Sequence, residues 1–495
     1  MRTPASSGHS RDGLDVSTGV TRRTLLGALA VSAAGLAVPA RAAVRTSRSP
    51  SFPRRATNVI FMVSDGMSAG TLTLADWHAK LTRGRTSHWV SLLGAPGWRR
   101  SFQMTHAADS LVTDSAAAAS AWGIGTKVNN GSVNITPDGV QPTPLLVHAA
   151  QNAKRTGIVT TTRVTHATPA GFIANVPSRD MEGEIARQIM ERSVDVVMGG
   201  GGNYFPDATL AIGPTPLLVR TRDELARLDP AAASTRVLGL FAKGHVPFVC
   251  DREPTVPGLA DMTSKALAIL SRDPNGFVLQ VEGGRVDHAA HSSDARALLH
   301  EQVEFDDAIG AVLEFVRDRD DTLVIITTDH GNANPGLTTY GPHVEKGFRS
   351  LFKVREPGGR SFDWIESQVD AIKDKGERVA KLPEIVEQAT GVALDADEAR
   401  LLGAVARGER VNPFREGNSW TFVLGAILAD HCAVSFMSPH HTGDLVELVA
   451  TGPGSDAIPA VVDNAALHRV VVDALGLAGA SPVSRPGQTL APVGR

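Results

Sequence analysis

Unbroken apolar runs alternate along this chain with stretches whose apolar residues recur at helical spacing. Residues 58–64, Asn-Val-Ile-Phe-Met-Val-Ser, form the first such run and lead into Asp65, Gly66 and Met67. A strand with one wet face would alternate polar and apolar positions, so this run predicts a strand buried on both faces of a parallel sheet. A helix over 145–155, stopping at Gly157, precedes a strand over 158–162, and a helix over 182–192 precedes a strand over 194–198. The glycines 199–202 that follow lack the spacing of a dinucleotide loop and read as a strand-end turn. Strands over 276–281 and 322–327 enclose a helix marked by Phe305, Ile309, Val312, Leu313 and Val316. This alternation predicts an α/β fold, with a mostly parallel central sheet and helices on both faces.

Residues 341–433 interrupt the pattern. Ile365, Val369 and Ile372 mark one helix, 383–391 reads as another with its stop at Gly391, and Val423, Leu424, Ile427 and Leu428 mark a third. The segment is too long for a connecting loop and too periodic for disorder, so it is expected to be an inserted, helical, cap-like subdomain. A strand over 444–450 and a helix carrying Leu467, Val470, Val471 and Leu475 close the domain.

The start of the chain changes the picture of where the protein works. Residues 1–42 carry five arginines against two acids, a local +3, although the chain as a whole has a formal charge of −3. The adjacent Arg22 and Arg23, then Leu25-Leu26, a weakly apolar run to Val38 and Ala40-Arg41-Ala42 resemble a twin-arginine signal peptide ending in a cleavage site. Export is therefore expected, to the periplasm or the medium, with 43–56 as a flexible leader and 57–495 as the mature domain. No other apolar run reaches membrane-spanning length. The acidic balance of that domain gives no electrostatic reason to bind nucleic acid. Cys250 and Cys432 make no disulfide framework and read as at least partly buried free thiols.

Candidate chemistry collects where strands end. Asp65 follows the first strand; Glu282, Asp287, His288 and His291 follow the fourth; Asp329 and His330 follow the fifth; His440 and His441 come after the helical insert. Singly, each has an ordinary reading as a turn, a helix-start acid or a solvated loop residue. Their recurrence at strand termini on one sheet edge points to a multinuclear metal site, because carboxylates and imidazoles are the ligands of divalent cations. Ser115 belongs to the same picture. Asp114 and Ser115 start a helix through Ala116–Ala119, and a helix N-terminus welcomes a phosphate oxygen. A metal pair would activate that hydroxyl without a general base.

These segments together resemble the alkaline phosphatases. The similar elements are SDGM at 64–67, VTDSAAAAS at 112–120, ATPA at 167–170 with Ser178-Arg179, VEGGRVDHAAH at 281–291, TTDHG at 327–331 and HTG at 441–443. They run in family order over nearly all of the mature chain. The resemblance implies a phosphate-monoester hydrolase with two Zn²⁺ and a third metal, usually Mg²⁺. Ser115 would be the nucleophile, held on one zinc with Asp65, Asp329 and His330. Asp287, His291 and His441 would hold the other zinc, and Thr168 and Glu282 would complete the third site with Asp65. Arg179, oriented by Asp114, would clamp phosphate oxygens, and His288 would join Ser115 and Arg179 in binding them. Family members are commonly dimers, so a homodimer is an implied partner.

Two positions depart from the best-known bacterial pattern. His166 stands where many bacterial members have aspartate, and His288 where they have lysine; the imidazole of His166 weakens the case for hard Mg²⁺ at the third site. Nearby alternatives are a phosphodiesterase or sulfatase of the same superfamily. Ser115-Ala116-Ala117 lacks the Cys/Ser-x-Pro-x-Arg pattern of sulfatases, and diesterases often use threonine and lack the Arg179-type element. An exported phosphate- or metal-binding protein without turnover is the alternative of another class.

Overall fold

The computed structural model describes residues 55–231, 236–412 and 417–477. The expected signal peptide, 1–42, lies outside the described residues, as does most of the 43–56 leader.

Fourteen strands occur among the described residues. In order they are β1 (Asn58–Ser64), β2 (Arg99–Met104), β3 (Arg155–Arg163), β4 (Val196–Gly200), β5 (Leu217–Val219), β6 (Val237–Leu240) and β7 (Phe277–Gly283). Then come β8 (Thr322–Thr327), β9 (Gly331–Asn332), β10 (Gly336–Leu337), β11 (Val434–Ser435), β12 (His441–Thr442), β13 (Val446–Thr451) and β14 (Val461–Asp463). Ten of them form one sheet, ordered β14-β2-β13-β8-β1-β7-β3-β4-β6-β5. Every pairing in it is parallel except those of β13, which runs antiparallel to both β2 and β8.

The sheet is buried on both faces, as β1 shows. Ile60 and Met62 join one apolar core with Leu279, Val281, Val324 and Ile326; Val59, Phe61 and Val63 join the other with Val278, Leu323 and Ile325. That two-sided burial is why β1 and β8 read as apolar runs, while β7 carries the buried Gln280 and Glu282 among its apolar residues. The expected fold class is therefore the observed one. Cys250 and Cys432 are buried and unpaired.

Two local expectations fail. The helix Leu145–Gln151 ends at Asn152, with Ala153 left-handed at φ 59°, and Gly157 lies inside β3. A side chain at 157 would come within 2.8 Å of Leu270 and Leu279, so the glycine answers to packing between strand and helix, not to helix termination. Gly199 and Gly200 belong to β4 rather than to the expected turn, which starts at Gly201, with φ 95°, and continues into the 3-10 helix Gly202–Tyr204.

Between His343 and Cys432 the described elements are all helices: His343–Arg349, the 3-10 helix Ser350–Phe352, Phe362–Ala371, Lys375–Thr390, Ala396–Ala406 and Trp420–Cys432. Phe362, Ile365, Leu382, Val386, Leu402 and Leu424 are buried in a third apolar cluster of its own. Pro383 is accommodated inside the helix Lys375–Thr390, which ends at Gly391 with φ 77°.

Candidate active site

Parallel strands bring their carboxyl ends to one edge, and the chain crosses that edge again and again with acids and imidazoles. Asp65 follows β1, Glu282 is the penultimate residue of β7, and Asp329 and His330 follow β8; all four are fully buried. Gly66 makes the crowding possible. Its φ is +68°, and a Cβ there would stand 2.5 Å from Oδ1 of Asp287. The Gly66 N–H donates to Asp329 Oδ1 at 2.9 Å, tying the ends of β1 and β8 together. β12 pairs antiparallel with β9 and so sets His441 opposite Asn332.

Ser115 begins the helix Ser115–Ile124, capped by Asp114, whose Oδ1 accepts the Ala117 N–H at 2.9 Å. This helix and Ala167–Ile173 cross at small residues: a Cβ on Gly123 would meet the Gly171 carbonyl at 1.9 Å. The close crossing holds Ser115 beside the strand ends, with its Oγ 3.3 Å from His330 Nε2.

The sequence-assigned residues form connected groups. Ligand atoms lie within 4.8 Å of one another in three sets: Asp65, Asp329, His330; Asp287, His330, His441; and Asp65, His166, Glu282. His291 adjoins the second set, its Nε2 2.9 Å from that of His441 and 3.4 Å from Asp287 Oδ2. Thr168 donates to Asp65 Oδ2 at 3.1 Å, while His166 is the residue that shares the third set. Arg179 donates to Asp114 Oδ2 at 3.0 Å and to His166 Nε2 at 3.1 Å. The His288 ring lies 5.3 Å from that of His166 and takes a hydrogen bond from Arg285.

The electrostatics are those of a cation site. Asp65 is pushed well above the usual carboxylate range by burial and then by the neighbouring Asp329 charge. Burial is also the main cause that lifts Glu282 to about 7 and Asp329 to about 6. Burial pushes the Asp287 carboxyl up, but His291, His441 and His330 together pull it below its ordinary value. Burial likewise keeps His166, His288 and His330 neutral, the form in which imidazole binds metal. Asp65 Oδ1, Asp329 Oδ2 and Glu282 Oε1 are buried without hydrogen-bond partners. Carboxylate oxygens gathered in this way are costly unless a positive charge joins them, so the donor set fits divalent cations.

Comparison with known proteins decides the family. The alkaline phosphatase family model matches residues 56–213 and 215–477. The chain belongs to the alkaline phosphatase family. It is 30% identical over 430 residues to alkaline phosphatase 4 of Bacillus subtilis, covering 82% of this chain and 86% of that one. The Thermus thermophilus alkaline phosphatase structure superposes with a TM-score of 0.77 at 32% identity, covering 88% of this chain and 94% of that one. A cold-active Shewanella alkaline phosphatase gives a TM-score of 0.69 at 26% identity, over 84% and 99% of the two chains. The chain is thus a phosphoric monoester hydrolase with metal-binding residues.

Sequence reading missed several residues of this alkaline phosphatase site. Asn332 donates to Asp287 Oδ1 at 2.7 Å; its only signal was its place directly after Gly331. Thr160 and Thr162 both donate to Glu282 from within β3, where they read as ordinary strand residues. His245 stacks edge-on against His288, ring centres 4.4 Å apart, from a loop with no pattern that marks it.

Proposed function

We propose that this alkaline phosphatase hydrolyses phosphate monoesters through a phosphoserine on Ser115, at a site of two zinc ions and a third metal. The observation that carries the reading is the Ser115 hydroxyl, set at a helix N-terminus 3.3 Å from His330 Nε2, a nitrogen that also stands 3.2 Å from the buried Asp329 Oδ2 and 3.7 Å from Asp65 Oδ1. Asp65, Asp329 and His330 would hold one zinc; Asp287, His291 and His441 the other; Asp65, Thr168 and Glu282 the third ion, nominally magnesium. His166 stands close enough to Asp65 and Glu282 to share that third site, which favours an ion softer than magnesium there. When bound, such cations lower the pKa of a hydroxyl or water and neutralise phosphate charge.

The chain's own residues then do the rest. Ser115 Oγ forms its bond to phosphorus as the bond to the alcohol oxygen breaks, and the alcohol leaves with a proton. Water then attacks phosphorus, the Oγ–P bond breaks, and inorganic phosphate and the serine hydroxyl are restored. Arg179, kept in place by Asp114, presents a planar fork to two phosphate oxygens. His288 adds a third contact, and the helix N-terminus favours the negative charge.

The reading extends to the rest of the molecule. Residues 1–42 direct export by the twin-arginine route, 57–495 form the catalytic domain, 341–433 act as a cap-like subdomain beside the site, and the enzyme works as a homodimer. Export and pairing are checked by secretion of a tagged chain and by light scattering. The central test is Ser115→Ala in the metal-loaded enzyme. Turnover of an aryl phosphate should be lost while zinc content stays that of the wild type. Full activity in that variant would sink the nucleophile assignment, and faster turnover of bis-aryl phosphate or aryl sulfate would sink the substrate class.

A further inference from the structure

Three consecutive residues, Ser361, Phe362 and Asp363, tie the start of the helix Phe362–Ala371 to the sheet-bearing body. Asp251 accepts the Ser361 N–H at 3.3 Å and also its hydroxyl. Asp294 Oδ2 accepts the Phe362 N–H at 2.6 Å. Asp363 Oδ2 accepts from Arg285 Nη2 at 2.6 Å. Arg285 is the first residue of the helix Arg285–His291, which carries Asp287, His288 and His291, and Asp294 caps the N-terminus of the next helix, Ala295–Val316. The helical segment thus holds the first residue of the metal-site helix and the N-cap of the helix that follows it.

Arg285 passes that grip inward. Its side chain is 8% exposed, and its guanidinium lies over the Phe248 ring, 3.7 Å from the centroid. Its Nη1 stands 2.9 Å from Nδ1 of His288. A guanidinium offers donors only, so Nδ1 must be the acceptor. The proton of a neutral His288 ring therefore sits on Nε2, which makes that nitrogen a donor. A donor is what a phosphate oxygen requires.

We propose that Asp363 is a positioning residue for the phosphate subsite. It fixes Arg285, and Arg285 holds His288 in the Nε2–H form that donates to the substrate's phosphate oxygens. The inference rests on the reading of His288 as a phosphate-binding residue. It gives the helical segment a part in phosphate affinity, not only in covering the site. Asp363 is 48% exposed, so solvent screening keeps the effect moderate.

The test uses the metal-loaded enzyme, with inorganic phosphate as competitive inhibitor and an aryl phosphate as substrate. Asp363→Asn should raise both the phosphate inhibition constant and KM by about threefold to tenfold, with kcat and thermal midpoint held. Asp363→Glu, which keeps the charge, should recover most of the loss. Ser361→Ala loosens the same docking point without touching Arg285 and should leave phosphate inhibition unchanged. In a His288→Ala background, Asp363→Asn should add no further weakening. The proposal is overturned if Asp363→Asn leaves inhibition unchanged while His288→Ala weakens it, if the two effects multiply, or if Ser361→Ala weakens phosphate as much. If His288→Ala itself leaves phosphate inhibition unchanged, the assignment of His288 to phosphate binding fails and the proposal with it.

Discussion

Asp114 carries three bonds on one carboxylate, and separating them predicts how substitutions there divide between stability and catalysis. Oδ1 accepts the Ala117 N–H at 2.9 Å and caps the Ser115 helix. Oδ2 accepts from Gly131 N–H and from Arg179 Nη1, both at 3.0 Å. The Asp114 and Arg179 side chains are 20% and 25% exposed, so the pair is sheltered but not sealed from water. Asp114→Asn keeps an acceptor for the cap but removes the charge and turns an NH₂ toward two donors. Losing a charge-assisted bond in such a setting costs about 1–2 kcal/mol. Spent on the placement of Arg179, that is a fall of about fivefold to thirtyfold in kcat/KM. Asp114→Ala removes the cap as well, which lowers stability by about a further 1 kcal/mol. The assay is kcat/KM on an aryl phosphate, the inhibition constant of inorganic phosphate, and calorimetry of all three proteins. Asn should impair phosphate binding with a small change in thermal midpoint, and Ala should impair both. Wild-type phosphate binding in Asp114→Asn would refute the claim that this carboxylate orients Arg179.

Two further outcomes follow from groups already described. Asp294, buried, is raised to about 6 by burial, against an ordinary value of 3.8. The folded state therefore holds its proton more tightly than the unfolded one, and this residue's contribution to stability declines as pH rises from about 4 to about 6. Asp294→Asn should remove that slope, read as the difference in thermal midpoint between variant and wild type across that range. Gly66→Ala combines a disfavoured left-handed φ with a Cβ 2.5 Å from Asp287 Oδ1. It should cost about 3 kcal/mol or more and reduce zinc content in metal analysis; normal zinc content would show that β1 can yield at this point.

What could be read from the chain before folding follows from where each signal resides. β1 and β8 were legible to the residue because strands buried on both faces are dominated by apolar residues, and short runs of such residues between turn signals mark them. β2 was not, because Arg99, Arg100, Ser101 and Gln103 break its apolar character; it is held by β13 and β14 on its two sides instead. The acids and histidines after β1, β7 and β8 were legible as a site because strands that run parallel must end together. The contact that His166 shares with Asp65 and Glu282 agrees with its place two residues before Thr168, but the support that Thr160 and Thr162 give Glu282 was hidden, since both sit in a strand as ordinary residues. Arg285 and Asp363 were also hidden: they are 78 positions apart, and only the packing of one helix start on another brings them together.

The antiparallel return of β13 bears on how such an enzyme can change over evolutionary time. β13 pairs directly with β8, Val449 opposite Ile326 and Ala450 opposite Ile325. Everything between them, from β9 through the helical segment to His441, is therefore one excursion between hydrogen-bonded neighbours. The entropy of closing such an excursion grows only logarithmically, by about 0.6 kcal/mol for each doubling of its length. Strand order and most of the site are indifferent to how many residues the excursion contains. Insertions and deletions can accumulate there, reshaping what approaches the phosphate subsite, so long as the returning chain still delivers His441 to its place beside His330.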